Sequence, residues 1–164
     1  MDGAHFLFVR PEGATAAFQA NVRAAFAAHG VGPERVEFVG VRGTHMPHYN
    51  KIDIALDSFP QTGGTTTCEA LWMGVPTITL TGPCFFERLS LSNLTNAGLG
   101  DLAAPDLETY HAKAVALAAD RDRREQLRRT MRAEIRRRPL GRVDDYVREF
   151  MATVAGAVEG ARAG

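Results

Sequence analysis

Residues 52–80 read Ile52-Asp53-Ile54-Ala55-Leu56-Asp57-Ser58-Phe59-Pro60-Gln61-Thr62-Gly63-Gly64-Thr65-Thr66-Thr67-Cys68-Glu69-Ala70-Leu71-Trp72-Met73-Gly74-Val75-Pro76-Thr77-Ile78-Thr79-Leu80. The stretch opens and closes on short apolar runs, 52–56 and 76–80, continuous rather than alternating, as in strands buried on both faces. Between them 67–73 reads as a short helix, stopped by Gly74, with Pro76 opening the next run. Strand, helix, strand in that order is the repeating unit of a parallel sheet with crossover connections.

Working outward, two further runs precede this unit: Phe6-Leu7-Phe8-Val9 and Val36-Glu37-Phe38-Val39. The Ala-rich segment 15–29 lies between them and carries Phe18, Val22 and Phe26 at i, i+4 and i+8, one apolar stripe of a helix. His29-Gly30-Val31-Gly32-Pro33 then stops it. After residue 80 the pattern is helical only, over 87–96, 107–119, 121–138 and 143–161, with Pro139-Leu140-Gly141 breaking the last two apart. No internal repeat and no Ser/Gly/Pro-rich linker divides the chain. The expectation is a single α/β domain over 1–164, with a Rossmann-like parallel sheet in about 1–104 and a helical tail in about 105–164.

The bulk properties exclude several function classes. The 164 residues are 45% hydrophobic and 23% charged, with Lys+Arg 19 balanced by Asp+Glu 19. A net charge of zero gives no global pull toward nucleic acid or an acidic membrane. No apolar run approaches the ~20 residues of a membrane helix, and the first residues lack the basic start of a signal peptide. Cys68 and Cys84 show neither CxxC nor Cys/His spacing, so a disulfide is allowed but has no support and a metal site is not expected. A reduced, cytoplasmic protein is the expectation.

In an open parallel sheet, ligands collect where the carboxyl ends of strands meet helix N-termini. Gly63 and Gly64 follow the third run and let backbone approach a ligand with no Cβ in the way. Thr65, Thr66 and Thr67 then open a helix, presenting hydroxyls and backbone N–H groups together, an anion site of the kind a diphosphate occupies. Glu69, one turn on, could accept from two ribose hydroxyls. The same residues also fit a plain helix cap, Thr65 or Thr66 with Glu69 as its capping-box acid. No P-loop and no GxGxxG is present. A second segment, Gly40-Val41-Arg42-Gly43-Thr44-His45-Met46-Pro47-His48-Tyr49-Asn50, follows the second run. Arg42 offers a fork suited to phosphate. His45 and His48 fit phosphate or base contacts, simple solvation, or a metal for which no third ligand is evident nearby.

With both segments in view, Tyr49-Asn50-Lys51-Ile52-Asp53-Ile54-Ala55-Leu56-Asp57 followed by GGTTTCEALWMGVPTITLTG resembles the O-linked N-acetylglucosaminyltransferase family, in particular its bacterial SPINDLY-like, TPR-containing branch. The resemblance runs from about Phe6 to about Tyr146 and is dense between Val36 and Gly98; Arg88 and Ser92 match the family's following helix. It implies the C-terminal, donor-binding lobe of a GT-B glycosyltransferase, with metal-independent, inverting transfer from UDP-GlcNAc to a protein Ser or Thr and no other cofactor. On this chain it implies that Thr65 and Thr66 bind the diphosphate, and Gly63, Gly64 and Thr67 are expected to bind the donor with them. Glu69 would contact the ribose, Arg42 would neutralise the leaving phosphate in place of the animal enzymes' lysine, His45 would stack near the uracil, and Gly40 would offer backbone to the base. The Gly64 position carries a histidine in the animal enzymes, a contact absent here.

The resemblance also implies parts outside these residues: a segment with a catalytically important lysine, the N-terminal lobe with its acceptor-side groups, and the TPR array. The chain is therefore expected to be a partial enzyme that binds UDP weakly, transfers nothing alone, and self-associates through uncovered apolar surface. Competing readings are a non-catalytic nucleotide-binding module and a protein-interaction module without ligand. The arginine-rich 121–138 reads as an amphipathic helix with a solvated basic face, not a nucleic-acid site, since no stacking aromatics interleave. Trp72 reads as a core residue.

Overall fold

The computed structural model describes residues 3–163 and separates into two compact units, one ending at Ile52 and one beginning at Asp53. In the first, β1 (Phe6–Val9) and β2 (Val36–Val39) pair in parallel, with Phe6 opposite Val36 and Val9 opposite Val39. Parallel neighbours need a crossover, and α1 (Ala16–Ala27) supplies it. The apolar stripe does the packing: Phe18 and Phe26 meet Phe8 edge-on at 6.2 and 5.9 Å between ring centroids, and Phe8 stacks on Phe38 at 5.4 Å. Each such pair adds about 0.5–1.5 kcal/mol beyond the area it buries. Arg10 and Arg23 lay their guanidiniums over Phe18 and Phe38, shielding ring faces that a two-stranded layer leaves accessible. Both strands have the expected bounds. The helix is shorter than 15–29, because Thr15 keeps an extended backbone at its start.

The second unit is a three-stranded parallel sheet of order β3-β4-β5, formed by Ala55–Leu56, Thr77–Leu80 and Ala103–Ala104. The middle strand serves its neighbours at different points, Thr77 and Ile78 opposite β3, Thr79 and Leu80 opposite β5. Around it stand α2 (Thr65–Trp72), α3 (Leu89–Ala97), α4 (Leu107–Ala119), α5 (Arg121–Ile135) and α6 (Val143–Ala163). Leu71, Ile78, Leu94, Leu117, Met131 and Ile135 form the buried core. α4 and α5 therefore belong to the core rather than to a tail from residue 105 onward, and only α6 stands off it.

Other departures have local causes. β3 is two residues, not 52–56, because a 3-10 turn, Met46–Lys51, holds the chain up to Lys51 and pairing begins where Ala55 N–H donates to Pro76 O at 2.9 Å. β5, two alanines long, carries no apolar run to betray it. α2 starts at Thr65 rather than Thr67 and stops at Gly74, whose φ of +75° suits glycine. There the N–H groups of Gly74 and Val75 turn back to Leu71 O and Ala70 O at 3.0 and 2.8 Å, the closing pattern of a left-handed cap.

The arginines of α5 are not merely solvated. Arg128 donates to Met73 O and Arg132 to Trp72 O, each at 2.9 Å, and Arg124 donates to Leu117 O at 2.8 Å and to Ala118 O. They satisfy the last carbonyls of α2 and α4, where cations are favoured. Trp72 is 37% exposed rather than a core residue. Its ring lies under Arg132 and Arg136, with guanidinium carbons 4.9 and 5.2 Å from the centroid.

Candidate functional site

The turn between β3 and α2 is held from three sides. Asp57 leaves the strand with its N–H on Ile78 O at 3.0 Å. Its carboxylate uses both oxygens: Oδ1 accepts from Gly63 N–H at 2.9 Å and Oδ2 from the Thr79 hydroxyl at 2.7 Å. The aspartate thus ties the far end of the turn to β4. The Tyr110 hydroxyl, from α4, donates to Asp57 O at 3.3 Å. Burial, with repulsion from the Asp57 carboxylate second, pushes the Tyr110 phenol up to about 12.

α3 holds the carbonyls. Gly63 O lies 3.0 Å from Thr67 Oγ1 and 2.8 Å from Ser90 Oγ, and those two hydroxyl oxygens are 2.7 Å apart. Two hydroxyl protons serve these three contacts. Gly64 O accepts Cys68 N–H at 3.3 Å and the Asn93 amide at 2.9 Å. Buried Thr62 anchors the turn to Phe86 O through its N–H and hydroxyl, at 3.0 and 2.9 Å. The first N–H groups of α2 have no carbonyl a turn before them within the helix, as at any helix start.

The six second-unit residues singled out in the sequence, Gly63, Gly64, Thr65, Thr66, Thr67 and Glu69, fall on this turn and helix, but not on equal terms. Thr65 and Thr66 are exposed, Glu69 is half-buried, and Thr67 is buried in the hydroxyl pair with Ser90. Thr67 therefore shapes the turn rather than facing solvent. A Cβ on Gly63 would sit 2.5 Å from Thr67 Oγ1 and 2.7 Å from Thr66 Oγ1, whereas one on Gly64 would meet nothing within 4 Å. The plain capping reading does not hold: the N-cap is Gly64, which has no side chain, and Glu69 stands two residues beyond the N3 position a capping box requires. No acidic residue lies in the first turn of α2 itself, although the Asp57 carboxylate accepts Gly63 N–H at 2.9 Å beside that end and offsets part of its positive pole.

Gly40, Arg42 and His45 belong to the first unit. Arg42 is exposed, and His45, half-buried, precedes the Met46–Lys51 turn with its ring edge-on to Tyr49 at 5.9 Å between centroids. Gly40 has a packing reason to be glycine, since a Cβ would lie 2.5 Å from Ala14 Cβ. Among the described residues no group of three or more His, Cys, Asp or Glu is placed to hold a metal ion, and Cys68 and Cys84 are unpaired.

Sequence reasoning passed over Asp57, Ser90, Asn93 and Tyr110, the residues that hold the turn in place. Their contacts span 6 to 53 positions along the chain, beyond any periodicity. A usable signal lies in the two threonines inside the apolar run of β4, of which Thr79 finds its partner in Asp57 and Thr77 finds none. A concavity of about 620 Å³ also opens in the second unit, lined by Asp53, Glu125 and four arginines of α5. Two of those arginines, Arg124 and Arg128, are spent on helix-end carbonyls, and a third, Arg121, pairs with Glu125 at 2.7 Å, so this groove is structural.

Comparison with known proteins agrees with the sequence resemblance. The family model for glycosyl transferase family 41 matches residues 13–150. The probable UDP-N-acetylglucosamine–peptide N-acetylglucosaminyltransferase SPINDLY of Oryza sativa subsp. japonica is 37% identical over 122 residues, 73% of this chain and 13% of that protein. Its Arabidopsis thaliana counterpart is 43% identical over 88 residues, 54% of this chain and 10% of that protein. A solved Thermobaculum terrenum O-GlcNAc transferase mutant superposes with a TM-score of 0.77 at 32% identity, over 89% of this chain and 30% of that one. The chain thus spans about an eighth of the rice relative's length. Among the described residues no helix is long and apolar enough to cross a membrane.

Proposed function

Because the chain belongs to glycosyl transferase family 41, and its α/β fold matches the C-terminal lobe of a GT-B O-GlcNAc transferase, we propose that it is the donor-binding part of a protein O-glycosyltransferase. The donor in this reading is UDP-GlcNAc and the acceptor a peptide, the pair named for the rice and Arabidopsis relatives, with a Ser or Thr hydroxyl of that peptide receiving the sugar. The observation that carries this reading is the Gly63–Thr66 turn: its carbonyls are engaged, its helix end is positive, and its threonine hydroxyls are exposed. That combination receives a diphosphate through N–H and O–H donors.

In transfer, the acceptor oxygen forms a bond to the anomeric carbon and gives up its proton to the departing diphosphate or to solvent, as the bond from that carbon to the β-phosphate oxygen breaks. The electron pair leaves with UDP. Donors already aimed at that oxygen stabilise the charge as it develops, without reorganisation. We assign Thr65 and Thr66 to the diphosphate and Glu69 to the ribose. In the first unit we assign Arg42 to phosphate charge, and His45 and the Gly40 backbone to the base. The transfer is metal-independent in this reading, with protein donors carrying the charge of the leaving diphosphate. The protein acceptor is recruited by parts of a longer enzyme, in a cytoplasmic setting in this reading.

Thermal unfolding with UDP, and with GDP and ADP as controls, tests the reading. Binding at ~0.1 mM adds about 1.4 kcal/mol at ~1 mM ligand, a rise of a few degrees. A UDP-selective rise that Thr66→Ala or Glu69→Ala removes supports it. Equal responses to all three nucleotides, or none, would overturn it. The 164-residue chain alone is expected to transfer no sugar, and glycosylated acceptor in a purified reaction would refute that part.

A further inference from the structure

Ser90 and Asn93 stand three residues apart on α3, so both side chains leave one face of that helix. Leu94 and Ala97 fix the helix in the core. Its two polar side chains meet consecutive carbonyls of the turn: Ser90 Oγ lies 2.8 Å from Gly63 O, and the Asn93 amide donates to Gly64 O at 2.9 Å. The Asn93 bond is shorter than α2's own bond to that oxygen, from Cys68 N–H at 3.3 Å. Gly63 O has a second holder in Thr67 Oγ1, at 3.0 Å. A trans peptide is planar, with its N–H pointing opposite its C=O. Among the described residues cis geometry is confined to Phe59–Pro60, so both peptides here are trans. Holding Gly63 O therefore aims Gly64 N–H, and holding Gly64 O aims Thr65 N–H, each away from α3. Glycine flanks the first of these peptides on both sides and the second on one, where backbone rotation meets the least steric resistance. The turn by itself leaves their direction loosely set, and α3 supplies what it lacks.

We infer that Ser90 and Asn93 are positioning residues for the donor: by holding two carbonyls they aim two backbone N–H groups at the place of its diphosphate. This role rests on the donor-site reading above. It differs from a purely structural one in what it changes. N–H groups already aimed need no reordering when the ligand arrives, so losing their aim lowers affinity in the folded protein and not only the stability of the fold. The two residues are not equivalent. Thr67 stands behind Ser90 on the same carbonyl, whereas Asn93 is backed only by the longer Cys68 bond. Asn93 therefore carries the larger effect.

Titration of the full chain with UDP tests this, with backbone amide signals followed by NMR well below the melting temperature of each variant. In the native chain UDP is expected to shift the Gly64 and Thr65 amides. Asn93→Leu, similar in size but without a donor, weakens UDP about tenfold, and Ser90→Ala weakens it about threefold. Asn93→Gln keeps a donating amide and restores affinity to within about threefold of native. Leu117→Val, in the buried core, lowers stability and leaves UDP affinity unchanged, which separates lost aim from general loosening. Native affinity in Asn93→Leu, failure of Asn93→Gln to restore it, or an equal loss in Leu117→Val overturns the positioning role while leaving the donor site in place. A native chain that binds no UDP overturns the donor-site reading itself, and this role falls with it.

Discussion

Asp57 offers a way to weigh the clamp on the turn. Removing its carboxylate as Asp57→Ala leaves the Gly63 N–H and the Thr79 hydroxyl without their acceptor, at 2.9 and 2.7 Å in the native protein. Hydrogen bonds to a charged group contribute about 1.5–3 kcal/mol each, and the hydroxyl recovers part of its loss by turning toward Leu80 O, 3.3 Å away. A loss of about 4 kcal/mol follows, or a melting temperature lower by about 8–16 °C for a chain of this size. Asp57→Asn should behave differently. Its amide oxygen can keep the backbone N–H, which cannot reverse, while its NH₂ faces a threonine hydroxyl that can turn and accept. Only charge assistance is lost, about 1–1.5 kcal/mol. Calorimetry of both variants reads the ratio. Asn as damaging as Ala, or Ala costing under about 1 kcal/mol, would show that the carboxylate does not hold the turn.

Gly63→Ala forces a methyl against two threonine hydroxyls and should cost about 1–3 kcal/mol in denaturant unfolding, whereas Gly64→Ala, with open space before it, should stay within about 0.5 kcal/mol. Thr77 buries its hydroxyl with no hydrogen-bond partner, so Thr77→Val should raise stability by about 1 kcal/mol; a loss of that size would mean the hydroxyl is satisfied after all. Tyr110 keeps its proton more tightly folded than unfolded, so its contribution to stability is complete below pH ~10 and declines as pH rises toward 12. Tyr110→Phe should flatten that alkaline decline, and an unchanged profile would exclude Tyr110 as its source.

These tests fall on residues of unequal legibility. Dense apolar runs located β1 and β2 to the residue, because their aromatic side chains pack against Phe18 and Phe26 of α1. The positive end of α2 was readable from two glycines and three threonines, which belong together only where backbone meets a ligand or a cap. Which threonine faces solvent was not readable: Thr67 is buried because Ser90, 23 residues on, offers it a hydroxyl. β5 was invisible because two alanines gain strand geometry only from a neighbour already in place. The arginine face of α5 misled for a related reason. A guanidinium on a helix-end carbonyl and one in water look alike in sequence, and Trp72 went with them.

The arginines under α2 bear on its opposite end. An eight-residue helix is about 12 Å long, so a charge at its N-terminus is within reach of both poles. With Arg128 and Arg132 neutralising the last carbonyls, the attraction felt by an anion is no longer discounted by a nearby negative pole. The helix then acts less as a dipole than as a single positive charge of fixed direction. Two side chains that touch no ligand would in that way set how strongly one is held.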